Sequence, residues 1–314
     1  MNAPPGGGWS ALTPQCVLDA VEAAGLRPDG RLLQLNSYEN RVHQVFLEDG
    51  TAVVTKFYRP GRWTDEQILE EHGFARELAA EEVPVVAPLD LQPEAGSPLR
   101  TSGSPPTLGH WPVDGGRELR FSVSPRCAGR EPDLEHDDIL LRVGRFIGRL
   151  HAVGRRRPFV HRVTLDPVAD ARKAIERLQA GDLLTEPERG PWLEASRLAL
   201  AAVARAVERH GPWPALRLHG DCHLGNVLWR PEGPHVVDLD DACMGPAVQD
   251  LWMLASGEAA ELRQRLWPLL EGYEEWLPFD HRQLSLIEPL RTVRMIRHSA
   301  WLADRWDDPA FPAA

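Results

Sequence analysis

Two periods of hydrophobicity alternate along the first part of the chain. Residues 15–24 space their apolar side chains at helical intervals, whereas 31–35 and 40–48 alternate apolar with polar as strands do. Asp49-Gly50 is a hairpin signal and leads into a further strand over 51–58. Helical spacing returns at 63–81, with Thr64 in the N-cap place and Asp65 and Glu66 in the first turn, where the helix dipole favours anions. Val83-Pro84 ends that helix. Residues 92–118, rich in Pro, Gly and Ser, read as a long turn between strands, and 119–125 resumes as an apolar strand.

From Asp133 onward the helical period dominates. It predicts helices over 139–153, 168–178, 191–210, 247–254, 259–276 and 283–306, interrupted only by strand-like pieces within 216–240. The expectation is an α+β, bilobal protein: a small mixed β-sheet lobe over 1–125 and a larger, mostly helical lobe over 126–314. A length of 314 residues suffices to give each lobe its own core.

Charge narrows the function classes. With 35 basic against 46 acidic residues the net charge is -11, which argues against nucleic acid and against an anionic membrane as partner. No run reaches the roughly 18 apolar residues of a membrane-spanning helix, and residues 1–9 lack the charged and apolar regions of a signal peptide. A cytoplasmic monomer is expected. Cys16, Cys127, Cys222 and Cys243 show no paired spacing, as reduced thiols would not.

The chemistry concentrates in Leu218-His219-Gly220-Asp221-Cys222-His223-Leu224-Gly225-Asn226, followed by His235-Val236-Val237-Asp238. An acid, an amide five positions later and a second acid closing an apolar strand form the minimal set for handling a phosphoryl group and its magnesium. Phosphoryl transfer needs one carboxylate to orient the attacking hydroxyl and accept its proton, a role for Asp221. Magnesium takes hard oxygen donors and keeps several waters, so the Asn226 carbonyl and the Asp238 carboxylate suffice from the protein. His219, Cys222 and His223 have no second spaced pair, which makes poor zinc grammar.

Lys56 is the second signal. Arginine has so displaced lysine that only Lys56 and Lys173 remain, yet one persists inside the apolar strand Val53-Val54-Thr55-Lys56-Phe57. A compact ammonium gripping phosphates is not interchangeable with a guanidinium fork. In kinase chemistry such a lysine holds the α and β phosphates of ATP and is positioned by a glutamate on the following helix. Glu71 shares a helical face with Phe74 and Leu78; Glu70 lies about 100° around and stays open as the alternative.

Asn36-Ser37-Tyr38-Glu39-Asn40-Arg41-Val42, Lys56-Phe57-Tyr58-Arg59-Pro60, Leu69-Glu70-Glu71-His72, His219-Gly220-Asp221-Cys222-His223 and Asp238-Leu239-Asp240-Asp241, with Gly245 to Trp252, closely resemble the bacterial stress response kinase A family. That family lies on the aminoglycoside phosphotransferase and choline kinase-like branch of the protein-kinase fold. The resemblance implies ATP-dependent phosphorylation of serine or threonine on a protein, the enzyme itself included, in a stress response. It also implies Asp221 as proton acceptor, with Asp238 the second catalytic acid, magnesium on Asn226 and Asp238, and Ser37 in the loop over the ATP phosphates.

Other readings stand beside this one. The fold does not fix the substrate, so a small-molecule hydroxyl kinase is the alternative; carboxylates such as Asp133, Glu135, Asp137 and Asp138 in an acceptor pocket would favour a cationic compound. A non-catalytic ATP-sensing scaffold is a third. The phosphate loop 36–41 has no glycine, and Gly220 stands where protein kinases usually carry the arginine that pairs with a phosphorylated activation loop. The family pattern continues into an aromatic tail beyond the place of Pro312-Ala313-Ala314. His219 and Asp250 are expected to brace the catalytic loop, His151 and Trp252 to be structural, and Asp240 and Asp241 to be solvated loop carboxylates, with a share in the metal site as the alternative.

Overall fold

The computed structural model describes residues 9–306 apart from Asp182 and Ser256; the start and the Pro312–Ala314 end noted above lie outside the described residues, save Trp9. The chain divides into two compact units. One takes the residues up to Arg130 together with His235–Asp240, and the other takes Glu131–Pro234 and the residues from Asp241.

In the first unit, α1 (Pro14–Ala23) starts at Thr13, whose hydroxyl accepts from the Cys16 amide, and turns Val17, Ala20 and Val21 into the core. The strands β1 (Pro28–Leu35), β2 (Arg41–Leu47) and β3 (Ala52–Phe57) follow, and then α2 (Asp65–Ala80). Thr64 caps α2 in a reciprocal box with Gln67, as its sequence place predicts. Next come β4 (Arg100–Ser102), β5 (Leu108–Val113) and β6 (Arg117–Pro125), giving an antiparallel sheet ordered β1-β2-β3-β6-β5-β4. The 92–118 stretch is thus not one long turn. Gly109 lies under the Phe121 ring, where a Cβ would come within 2.4 Å, so this glycine serves packing rather than a turn. Phe57 and Phe121 stack at 5.2 Å in the core.

The second unit is mostly helical. Its elements are α3 (Asp137–Gly154), α4 (Pro167–Ala180), α5 (Glu186–His210), β7 (Leu216–Leu218) and β8 (Val227–Arg230). After β9 (Gly233–Val236), which runs into the first unit, come β10 (Cys243–Gly245), α6 (Val248–Leu254), α7 (Ala259–Glu274) and α8 (Ile287–Arg305). Helix α5 begins earlier than the expected 191, because Thr185 and Glu188 form a capping box upstream of Pro191. Glycines let α3 and α7 pack backbone to backbone: a Cβ on Gly144 would lie 2.0 Å from the Leu269 carbonyl, and one on Gly272 2.0 Å from that of Leu141. A separate apolar cluster joins α4, α5 and α8 through Ala171, Leu178, Val203, Val293 and Ile296. No helix among the described residues is long and apolar enough to cross a membrane.

Candidate active site

In the first unit the site begins at β3. Lys56 pairs across the sheet with Val42 and Ser122, and its ammonium lies 3.1 Å from Glu71, 3.3 Å from Asp238 and 3.5 Å from Asp240. Burial opposes the charge on Lys56, but Glu71, Tyr58 and the two aspartates outweigh it and hold the ammonium protonated well above the ordinary lysine range. Glu71 is buried on the inner face of α2 beside Ile68 and Phe74, whereas Glu70 is half-buried. The acid-bearing segment reaches this place by main-chain pairing: the Val236 amide donates to the Pro84 carbonyl, and the Val86 amide to that of Val236. Asp238 takes φ of 61°, a left-handed conformation that aspartate tolerates better than most residues.

Asp240 differs from its expected role as a solvated carboxylate. It is 2% exposed and accepts from Asn40 Nδ2 at 3.0 Å and from Arg62 Nη1 at 2.5 Å. Asn40 also accepts the Arg59 amide at 3.1 Å, while the Arg59 guanidinium donates to the carbonyls of Glu39 and Tyr38, each at 2.9 Å. The glycine-free loop that carries half-buried Ser37 is therefore held from outside by side chains. Tyr58, above whose ring Lys56 sits at 5.0 Å, bonds to His72 at 2.7 Å and Ser122 at 3.1 Å, and His72 reaches Thr107 at 2.8 Å.

The second unit carries the other group. β7 runs antiparallel to β10, with Leu218 opposite Cys243, and the loop over residues 219–226 leaves its end. Asp250 anchors that loop: its carboxylate accepts the amides of His219 at 2.8 Å and Gly220 at 2.9 Å, and bonds to His151 Nε2 at 3.0 Å, with Asp250, His151 and His219 fully buried. His151 reaches Tyr273 through its other nitrogen. His219 Nδ1 accepts the Asp221 amide at 3.3 Å, and Gln249 donates to the Gly220 carbonyl. Gly220 has φ of 85°, and a Cβ there would lie 2.1 Å from the Asp241 carbonyl, so the arginine of protein kinases has no room at this position. Trp252 packs in the core and donates to Gln249.

Asp221 is ringed by donors. Arg294 on α8 bonds to Oδ1, and His223 Nε2 lies 3.4 Å from Oδ2. His223 Nδ1 accepts the Gly225 amide, which leaves the ring proton on Nε2, facing the carboxylate. Burial alone would raise the Asp221 pKa; His223 and Arg294 overcome it and hold the carboxyl well below the usual range. Asn226 donates Nδ2 to the Asp221 carbonyl at 3.0 Å, which fixes its amide and directs the carbonyl oxygen elsewhere.

The structure thus places Lys56, Glu71 and Asp238 together in the first unit, with Ser37 in the braced loop, and Asp221 with Asn226 in the second. Sequence reasoning passed over Asn40, Arg59, Arg62, Tyr58, His72 and Arg294. Five of these lie inside the motif segments or a few residues away, and Arg294, on a helix far along the chain, left no such mark.

A model of the phosphotransferase enzyme family matches residues 31–287. Stress response kinase A of Escherichia coli K12 is 43% identical over 307 residues, covering 97% of this chain and 87% of that protein. The chain belongs to the phosphotransferase enzyme family, on its stress response kinase A branch. The serine/threonine protein kinase RdoA of Salmonella typhimurium is 42% identical over 304 residues, with the same coverage. Among solved structures, amicoumacin kinase hAmiN in complex with AMP-PNP and Ca2+ has a TM-score of 0.70 at 18% identity, covering 96% of this chain and 88% of that one. A microcompartment-associated aminopropanol kinase has a TM-score of 0.66 at 18% identity, covering 93% and 90%. These two share the fold.

For a kinase-type phosphotransferase, each unit by itself offers an oxygen donor of the kind a hard divalent ion takes: the half-exposed Asp238 carboxylate in the first, and in the second the Asn226 carbonyl, whose amide is oriented by its own donation. Around Lys56, three carboxylates face one ammonium and one guanidinium, leaving one net negative charge for a cation to offset.

Proposed function

We propose that this phosphotransferase is an ATP- and magnesium-dependent serine/threonine protein kinase of a bacterial stress response, acting in the cytoplasm. The observation that carries the kinase chemistry is the pairing of Lys56 with Glu71 beside Asp238, together with a catalytic loop pinned by Asp250. The choice of a protein acceptor follows the serine/threonine kinase RdoA, which resembles this chain over nearly its whole length.

In this reading Lys56 binds the α and β phosphates, held in place by Glu71, and the braced loop around Ser37 covers them. Asn226 and Asp238 would hold magnesium, which when bound neutralises charge on the phosphates. Asp221 orients the acceptor hydroxyl and accepts its proton as the oxygen attacks the terminal phosphorus and the bond from that phosphorus to the bridging oxygen breaks, releasing ADP. A carboxylate of low basicity suits that task, because in a loose transition state the proton leaves late and orientation counts most. Asp250, His219 and His151 hold the loop so that Asp221 keeps its direction.

A second reading, a kinase of small hydroxyl compounds, is favoured by the fold neighbours, an amicoumacin kinase and an aminopropanol kinase. Incubation with γ-labelled ATP against proteins and against a metabolite pool separates the two. Labelled phosphoserine or phosphothreonine is expected, and turnover on small hydroxyl compounds alone would overturn the protein-kinase choice. Asp221→Asn should cut turnover by about 10²–10⁴ while ATP affinity stays nearly intact; turnover within tenfold of the original would remove Asp221 from the base role.

A further inference from the structure

We propose that Arg294 is an acceptor-recognition residue and that the hydroxyl phosphorylated by this protein lies beside an anionic group, an acidic side chain when the acceptor is a protein. The inference rests on Asp221 being the base and deepens that reading.

Both carboxylate oxygens of Asp221 are engaged, one by Arg294 and one by His223. An acceptor hydroxyl that bonds to Asp221 must share the carboxylate with these donors or take the place of one of them. His223 is tied through Nδ1 to the loop backbone at Gly225 and cannot easily turn away. Among the described residues Arg294 reaches, besides Asp221, the Met253 sulfur, and its side chain is 45% exposed, so it is the donor with room to swing. A guanidinium that leaves a carboxylate needs another anion, and an acceptor carrying one supplies it at the place where Asp221 is released.

The surroundings have the same sign. Between Pro289 and Ala303, α8 carries Arg291, Arg294, Arg297 and His298 and no acidic residue, in a chain of net charge -11. Arg291 donates to the Gly257 carbonyl, and Arg297 acts on Asp170, which leaves Arg294 as the arginine on the base. The carboxylates that would have marked a pocket for a cationic compound are placed otherwise: Asp137 and Asp138 sit in the exposed first turn of α3, and Glu135 pairs with Arg265. A cationic acceptor would meet the Arg294 guanidinium at Asp221.

The test uses serine peptides flanked by glutamate, by alanine or by lysine, with the full chain and its Arg294→Ala and Arg294→Glu variants; thermal unfolding of each checks folding. The glutamate peptide is expected to lead the lysine peptide at least tenfold in kcat/KM. Arg294→Ala should erase most of that lead through KM, and Arg294→Glu should invert it. An unchanged preference with kcat lowered equally for all peptides would overturn the proposal and place Arg294 on the transferred phosphate instead. If no peptide is phosphorylated, the same comparison is made between hydroxy acids and amino alcohols. Preference for hydroxy acids lost in Arg294→Ala then sustains Arg294 while the protein-kinase reading fails; preference for amino alcohols overturns both. Independently of turnover, the Arg294 Nε–H resonance should move on titration with the glutamate peptide and not with the lysine peptide, and a resonance unmoved by every anionic probe also overturns the assignment.

Discussion

Asp240 accepts from Asn40 and Arg62 and lies 3.5 Å from Lys56, so one buried carboxylate ties the phosphate loop, β3 and the segment bearing Asp238 to each other. Asp240→Asn keeps the shape and removes the charge. It should cost about 1–3 kcal/mol of unfolding free energy, the scale of a hydrogen bond to a charged group, and weaken nucleotide binding tenfold or more. Urea unfolding and nucleotide titration measure the two; unaltered affinity would reduce Asp240 to a packing residue. Asp221 invites a pH argument. Its folded pKa is depressed, so the stability it contributes is fully present above the unfolded value of about 3.9 and is lost only as pH falls through the folded value. Asp221 therefore should supply no acid limb to kcat/KM, which reports the free enzyme, between about pH 5 and 8. A limb in that window that shifts in Arg294→Ala would show that the carboxyl is less depressed than its neighbours dictate.

At the scale of elements, the α3–α7 contact depends on glycine. An alanine at Gly144 would place its Cβ 2.0 Å from the Leu269 carbonyl, which belongs to backbone and cannot rotate away. Gly144→Ala should destabilise by about 1–3 kcal/mol or more, the usual cost of overpacking, with alanine's better helix propensity recovering less than 1. Loss of the α3–α7 packing would show as a lowered unfolding midpoint, whereas Gly190→Ala, which meets open space, should not lower it. The sequence announced helices well because their period is local: Thr64 with Gln67 marks the start of α2 within four residues. It announced β4 and β5 poorly, since Pro112 and Gly109 read as turn residues until Phe121 and the β6 ladder give them a strand environment. The site divides the same way. Asp221, Asn226, Lys56 and Asp238 stand in spaced motifs, while the contacts of Asp240 with Asn40 and Arg62, and of Asp221 with Arg294, join segments far apart in the chain, and no local pattern encodes them.

For the whole molecule, the proposed reading ties metal and nucleotide together through charge. The chain carries -11 overall, and the group around Lys56 keeps one net negative charge, so uncomplexed ATP meets repulsion that magnesium would remove. Nucleotide binding should then stabilise the fold only when the ion is supplied. At a concentration 100 times Kd, a ligand that binds the folded state adds about 2.7 kcal/mol. For a chain of this size that corresponds to a rise in Tm of roughly 4 °C. Asp238→Asn isolates the ion's part, because asparagine accepts the φ of 61° as readily as aspartate and the backbone is spared. The variant should keep its ligand-free Tm within about 2 °C, since the change is half-exposed, yet lose most of the Mg-dependent rise. Scanning calorimetry of both proteins with ATP, with and without magnesium, makes the comparison. Equal stabilisation of the original protein by ATP in either condition would mean that Asn226 and Asp238 do not hold the ion.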